Sequence, residues 1–106
     1  GHATIIDAVG DMPLVLAAQV APNPFNPLTE IRFDLPREGR VKLRIFDVRG
    51  AVVRTLVDDV MPGGAGHVAR WDGTDERGAN AASGVYFFRL ETAGEHPLVG
   101  KMALVR

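Results

Sequence analysis

From Ile31 onward the apolar residues of this chain recur at every second position, and that periodicity restricts what it can fold into more than any other feature. Ile31, Phe33 and Leu35 alternate with Arg32 and Asp34 before Pro36 ends the run, and Val41, Leu43 and Ile45 alternate with Lys42 and Arg44. A period of two puts one set of side chains on a dry face and the other in water, the pattern of a half-buried strand. Pro36-Arg37-Glu38-Gly39 between the two runs reads as a turn. Ala51–Val57 resumes a strand. Val53, Leu56 and Val57 would also fit helical spacing, but β-branched content and short length favour the strand. Pro62–Gly66 reads as a flexible loop, His67–Trp71 as a short strand and Thr74–Ser83 as a polar connection. Gly84–Glu91 is the most apolar run and is expected at the centre of a sheet, with Ala93–Pro97 as a hairpin-like link to a last strand at Leu98–Val105. About seven short strands with evenly spaced turn signals, and no convincing helix, predict an all-β fold, an antiparallel two-sheet sandwich. Trp71 is expected in its core, where such a side chain withdraws roughly 150–250 Å² from water.

Upstream of the alternation, Leu14–Val20 predicts a first strand laid on the body. Pro22-Asn23-Pro24-Phe25-Asn26-Pro27 then forbids regular structure, because three prolines fix φ and remove donors. It reads as a stiff turn with Phe25 as a hydrophobic plug. Gly1-His2 reads as the scar of tag cleavage and residues 1–13 as scar and linker, leaving 14–106 as one domain. At 106 residues the chain can bury one core without staples.

Several functions are excluded or weakened by what the sequence holds. There is no cysteine, which removes disulfides, thiolate metal sites and thiol nucleophiles together. The 12 basic and 13 acidic residues balance to a net charge of −1, with no basic cluster to suggest a nucleic-acid partner. No apolar run is long enough for a transmembrane helix. The histidines lack zinc-site spacing, and Ser83 sits in Ala-Ser-Gly rather than in a nucleophile elbow. Gly63-Gly64-Ala65-Gly66 is followed by neither a phosphate-binding lysine nor a helix. Asp72, Asp75 and Glu76 place three carboxylates in one loop with Gly73 and Gly78. Hard oxygen ligands in a tight turn could hold calcium, whereas the competing reading has the Asp side chains capping backbone N–H groups. Sugar binding would need exposed aromatic rings, and burial of Trp71 and Tyr86 would count against it.

These residues also carry a family likeness. Pro-Asn-Pro-Phe-Asn-Pro at 22–27 is followed by Thr29-x-Ile31-x-Phe33-x-Leu35-Pro36 and Val41-x-Leu43-x-Ile45-Phe46-Asp47-x-x-Gly50. Trp71-Asp72-Gly73-x-Asp75-x-x-Gly78, Ser83-Gly84-Val85-Tyr86 and Lys101-Met102-x-Leu104-Val105-Arg106 come after in order. The chain resembles the type A C-terminal sorting domain of the bacterial type IX secretion system, which is related to the immunoglobulin-like domain of the flagellar hook-capping protein. The resemblance implies an immunoglobulin-like β-sandwich without catalytic residues or cofactor. It also implies a sorting signal continuous with an N-terminal cargo, exported through the periplasm by the type IX translocon. Surface sortase machinery would then release the cargo or attach it at the outer-membrane surface. By the same likeness Lys101, Met102, Leu104, Val105 and Arg106 are implied in partner recognition. A terminal strand of this pattern could be gripped by strand addition. A hook-capping-like assembly module, or an accessory binding module of a secreted hydrolase, is the alternative.

Overall fold

A computed structural model describes residues 14–106 and confirms the all-β sandwich. The reading of residues 1–13 lies outside the described residues. Seven strands follow in order: β1 (Ala17–Ala21), β2 (Thr29–Leu35), β3 (Gly39–Phe46), β4 (Val52–Met61), β5 (Gly64–Trp71), β6 (Gly84–Thr92) and β7 (Leu98–Leu104). They form two antiparallel sheets, a three-stranded one ordered β1-β2-β5 and a four-stranded one ordered β4-β3-β6-β7. Strand β6 sits inside its sheet between β3 and β7, as its apolar run predicts. Among the described residues no helix is long and apolar enough to cross a membrane.

The alternating residues meet between the sheets. Ile31, Phe33 and Leu35 of β2 face Val41, Leu43 and Ile45 of β3, Tyr86, Phe88 and Leu90 of β6, and Met102 and Leu104 of β7, all buried. Removing each larger side chain of this set from water contributes about 1.5–3 kcal/mol, so the register is strongly specified. Trp71 lies among them with 1 % of its surface exposed. Its ring meets Tyr86 edge-on at 5.2 Å, and its indole N–H donates to the Thr74 carbonyl at 2.9 Å. The Tyr86 hydroxyl donates to the Ala82 carbonyl at 2.6 Å, and its burial raises the phenol's pKa.

Three boundaries depart from the sequence reading by three residues or more. Strand β1 starts at Ala17 rather than Leu14. Strand β4 runs on to Met61, and Gly64–Gly66 belongs to β5 rather than to a flexible loop. Gly64 pairs with Leu35 beyond a bulge, and the Gly66 N–H donates to the Asp34 carboxylate at 2.9 Å. The tight β4–β5 link also needs Gly63, because a Cβ there would stand 2.9 Å from the Arg37 Cα.

Candidate functional site

Strand β7 carries the residues that the family likeness implies in recognition, and the sandwich divides them by face. Met102 and Leu104 point inward and are 1 % exposed, so they belong to the core and cannot be touched while the sheets stay packed. Lys101 and Val105 are exposed. Arg106 lies past the strand, and its backbone N–H donates to the Ser83 hydroxyl at 2.9 Å. Its guanidinium folds back to donate to the carbonyls of Ala81, at 2.6 Å, and of Gly73. The arginine therefore ties the last strand to the 73–83 loop.

The outer edge of β7 is occupied as well. Backbone groups of residues 101, 103 and 105 point away from β6, and the 22–27 segment meets them. The Asn23 side-chain amide donates to the Lys101 carbonyl and accepts from the Ala103 N–H, both at 3.0 Å. The Phe25 N–H donates to the Ala103 carbonyl at 3.0 Å, and the Phe25 carbonyl accepts from the Val105 N–H at 2.9 Å. Pro22 and Pro24 have no N–H to offer a ladder, so the Asn23 amide serves in place of a peptide group. The Phe25 ring is buried at 2 % exposure, its centroid 5.5 Å from that of Trp71. The hydroxyl of Thr29, itself fully buried, donates to the Pro22 carbonyl at 2.7 Å. The sequence-level idea that a partner strand grips this edge meets an obstacle at residues 101–105. The chain's own strap already makes those hydrogen bonds, an edge defence built in sequence-distant residues.

The acidic loop follows the capping reading. Asp72 accepts from the Thr74 hydroxyl at 2.5 Å and from its N–H at 3.1 Å. That hydroxyl contact is the main reason the Asp72 carboxyl is held below the ordinary aspartate value. Asp75 accepts from the N–H groups of Arg77 and Ala79 at 2.8 and 3.0 Å. Glu76 instead turns to β4, where its N–H donates to the Val53 carbonyl at 3.1 Å and its carboxylate accepts from the Thr55 N–H. The three carboxylates thus have three separate employments, and among the described residues no three His, Cys, Asp or Glu side chains gather as a metal site would need. Trp71 and Tyr86 are both buried, which counts against a sugar platform built on them.

A recurrence unread at the sequence level explains part of this loop. Asp47-Val48-Arg49-Gly50-Ala51 and Asp75-Glu76-Arg77-Gly78-Ala79 share one pattern, Asp-x-Arg-Gly-Ala. Each builds the same turn. The Asp carboxylate accepts from the second and fourth following N–H groups, at 2.9 and 3.0 Å for Asp47. In both copies the Asp N–H donates to the Ala carbonyl and its carbonyl accepts from the Gly N–H. The glycines take φ of +84° and +80°, where a side chain would be strained. The Ala51 N–H is the main cause that lowers the Asp47 pKa. The repeated string was the available signal.

A family model described as the FlgD Ig-like domain matches residues 28–95. No curated protein matches the chain by sequence. Among solved structures, dimeric latent PorU from Porphyromonas gingivalis superposes with a TM-score of 0.71 at 23% identity, over 91% of this chain and 10% of that one. PorZ, described as an essential bacterial surface component of the type IX secretion system of the same organism, gives a TM-score of 0.60 at 19% identity, over 85% of this chain and 12% of that one. The chain therefore spans about a tenth of each neighbour's length, and at these identities the likeness carries the fold.

Proposed function

Because the chain belongs to the FlgD Ig-like domain family, we propose from that premise that it is a non-catalytic sorting domain. It directs an N-terminally attached cargo through the periplasm and the type IX translocon to the outer-membrane surface. The observation that carries the reading is the fold shared with a 12% portion of PorZ, a chain whose own description places it in that secretion system. The six motifs quoted from the sequence support it independently. Recognition by translocon or sortase then falls to what β7 leaves accessible: the Lys101 side chain, Val105 and the surface around Arg106. Met102 and Leu104 act indirectly, by holding the strand in place.

The test is export. The full chain is fused to the C-terminus of a periplasm-directed fluorescent reporter in a type IX-competent host and in the same host lacking the translocon. Translocon-dependent appearance of the reporter at the surface or in the medium is the expected result. Retention in the periplasm with the domain folded would overturn the reading. The family match itself favours one other reading, an assembly module of the hook-capping kind. That reading predicts retention together with incorporation of the fusion into a multimeric structure.

A further inference from the structure

The two sheets turn very different faces to their surroundings. On the outside of β1-β2-β5 the charged residues are Glu30, Arg32, Asp34 and Arg70, which balance. On the outside of β4-β3-β6-β7 they are Arg40, Lys42, Arg44, Arg89 and Lys101 against Asp58 and Glu91, an excess of three positive charges on a chain whose net charge is −1. Arg44 and Arg89 stand directly opposite each other across β3 and β6. Like charges in that position weaken a sheet. They share a single carboxylate: Glu91 accepts from Arg44 at 2.7 Å and lies 3.5 Å from the Arg89 Nε without a hydrogen bond to it. The Nε groups of both arginines make no hydrogen bond.

An apolar row adjoins the cationic one. Phe46 and Phe87 are neighbours in the register, with Arg44 stacked 5.1 Å from the Phe46 ring. Val48, 70% exposed, flanks that pair, while Val99, 63% exposed, stands opposite Arg89 and Lys101 stands opposite Phe87. A trough of about 350 Å³ runs along Arg40, Lys42, Arg44, Glu91 and Glu95, and a second of about 310 Å³ runs along Phe46, Asp47, Phe87, Arg89 and Val99.

We propose that this outer face is a docking site for an extended acidic peptide segment of a partner protein, its carboxylates set against Arg44 and Arg89 and its apolar side chains over Phe46 and Phe87. The rows fit such a ligand in spacing. Alternate residues of an extended chain stand about 6.5–7 Å apart. That is the separation between the arginine row and the phenylalanine row along β3 and β6. A peptide lying parallel to the strands thus meets a cation and an apolar platform with side chains i and i+2. An arriving carboxylate would supply the counter-charge that Glu91 alone cannot give both opposed arginines. This inference concerns the outer face of the four-stranded sheet, which shares only Lys101 with the residues assigned to recognition in the sorting reading, and its arginine and phenylalanine variants test it separately from that reading.

The test titrates the full chain into a fluorescein-labelled peptide, Thr-Glu-Thr-Leu-Thr-Glu-Thr, and follows anisotropy at low and moderate salt. Saturable binding that weakens with salt is expected. Arg44→Gln and Arg89→Gln should each weaken it about tenfold, the loss of one charge-assisted contact. Phe87→Ser should weaken it as well, while Arg32→Gln on the opposite sheet should leave it unchanged. Arg89→Gln relieves the like-charge pair, so its melting temperature should hold or rise, which separates lost binding from lost folding. Absence of binding at millimolar protein, or binding indifferent to Arg44 and Arg89, overturns the proposal. So does tight binding of dextran sulfate with none of the peptide, which would assign the face to an anionic glycan.

Discussion

Replacing Phe25 by alanine tests whether the proline-rich strap is structural or merely lies on the surface. The ring is 2 % exposed and packs 5.5 Å from Trp71, wedged beside the Leu104 end of β7. Truncating a buried phenylalanine costs about 3–5 kcal/mol, a transfer contribution plus the cavity it leaves. For a domain of this size each kcal/mol moves the melting temperature by about 4–8 °C, so the expected fall is about 12 °C or more. The single tryptophan of the chain, Trp71, is the ring's own neighbour, so intrinsic fluorescence reports the transition from the affected place. Hydrogen exchange adds a local readout. The Ala103 and Val105 amides, which donate to Asn23 and Phe25, should lose protection, whereas that of Met102, turned toward β6, should change only with global stability. Asn26→Ala at an exposed neighbouring position is the control and should move the melt by a few degrees at most. A fall below about 3 °C for Phe25→Ala, with Ala103 and Val105 still protected, would refute the wedge and return the segment to a surface turn.

Two further outcomes follow from particular contacts. Gly100 lies opposite Phe88, and a Cβ there would come within 2.1 Å of the ring, so Gly100→Ala should destabilise by about 1–3 kcal/mol or more in urea unfolding. Gly39→Ala, whose Cβ would meet only the Thr92 hydroxyl at 3.6 Å, should be near neutral, and equal urea midpoints would defeat the steric reading. Asp47 and Asp72 have pKa values lowered in the fold, by the Ala51 N–H and the Thr74 hydroxyl respectively. The folded state therefore binds these protons less readily than the unfolded one. Their stabilisation is complete above the ordinary aspartate pKa and is lost as pH falls through the lowered values. The melting temperature should drop on acidification below about pH 4, and Asp47→Asn and Asp72→Asn should each flatten that drop. A slope indifferent to both substitutions would show that the two caps do not differ between folded and unfolded states.

How much could be read in advance depended on how local the cause was. In β2, β3 and β6 the alternation of the sequence reappears residue by residue as burial, because each strand has one dry face and an unbroken pleat. Strand β4 resisted. Its ladder with β3 is interrupted by two irregularities, between Leu43 and Arg44 and between Ile45 and Phe46. Each shifts the phase of alternation, so Val53, Leu56 and Val57 all reach the core from spacings that resemble a helix. The acidic loop was legible as a group of carboxylates but not as three separate caps, since Glu76 finds its partner on β4.

Sequence alone determined the wet and dry faces of β2, β3 and β6 and the burial of Trp71 and Phe25, since these depend on neighbours in the chain and on each residue's own stereochemistry. Tertiary structure decided the rest. It set the division into β1-β2-β5 and β4-β3-β6-β7, the sealing of the last strand's edge by Asn23 and Phe25, the retreat of Met102 and Leu104 into the core and the facing of Arg44 against Arg89. Each joins groups far apart along the chain, and nothing in a strand's pattern says which distant backbone will complete its hydrogen bonds or stand opposite its charges.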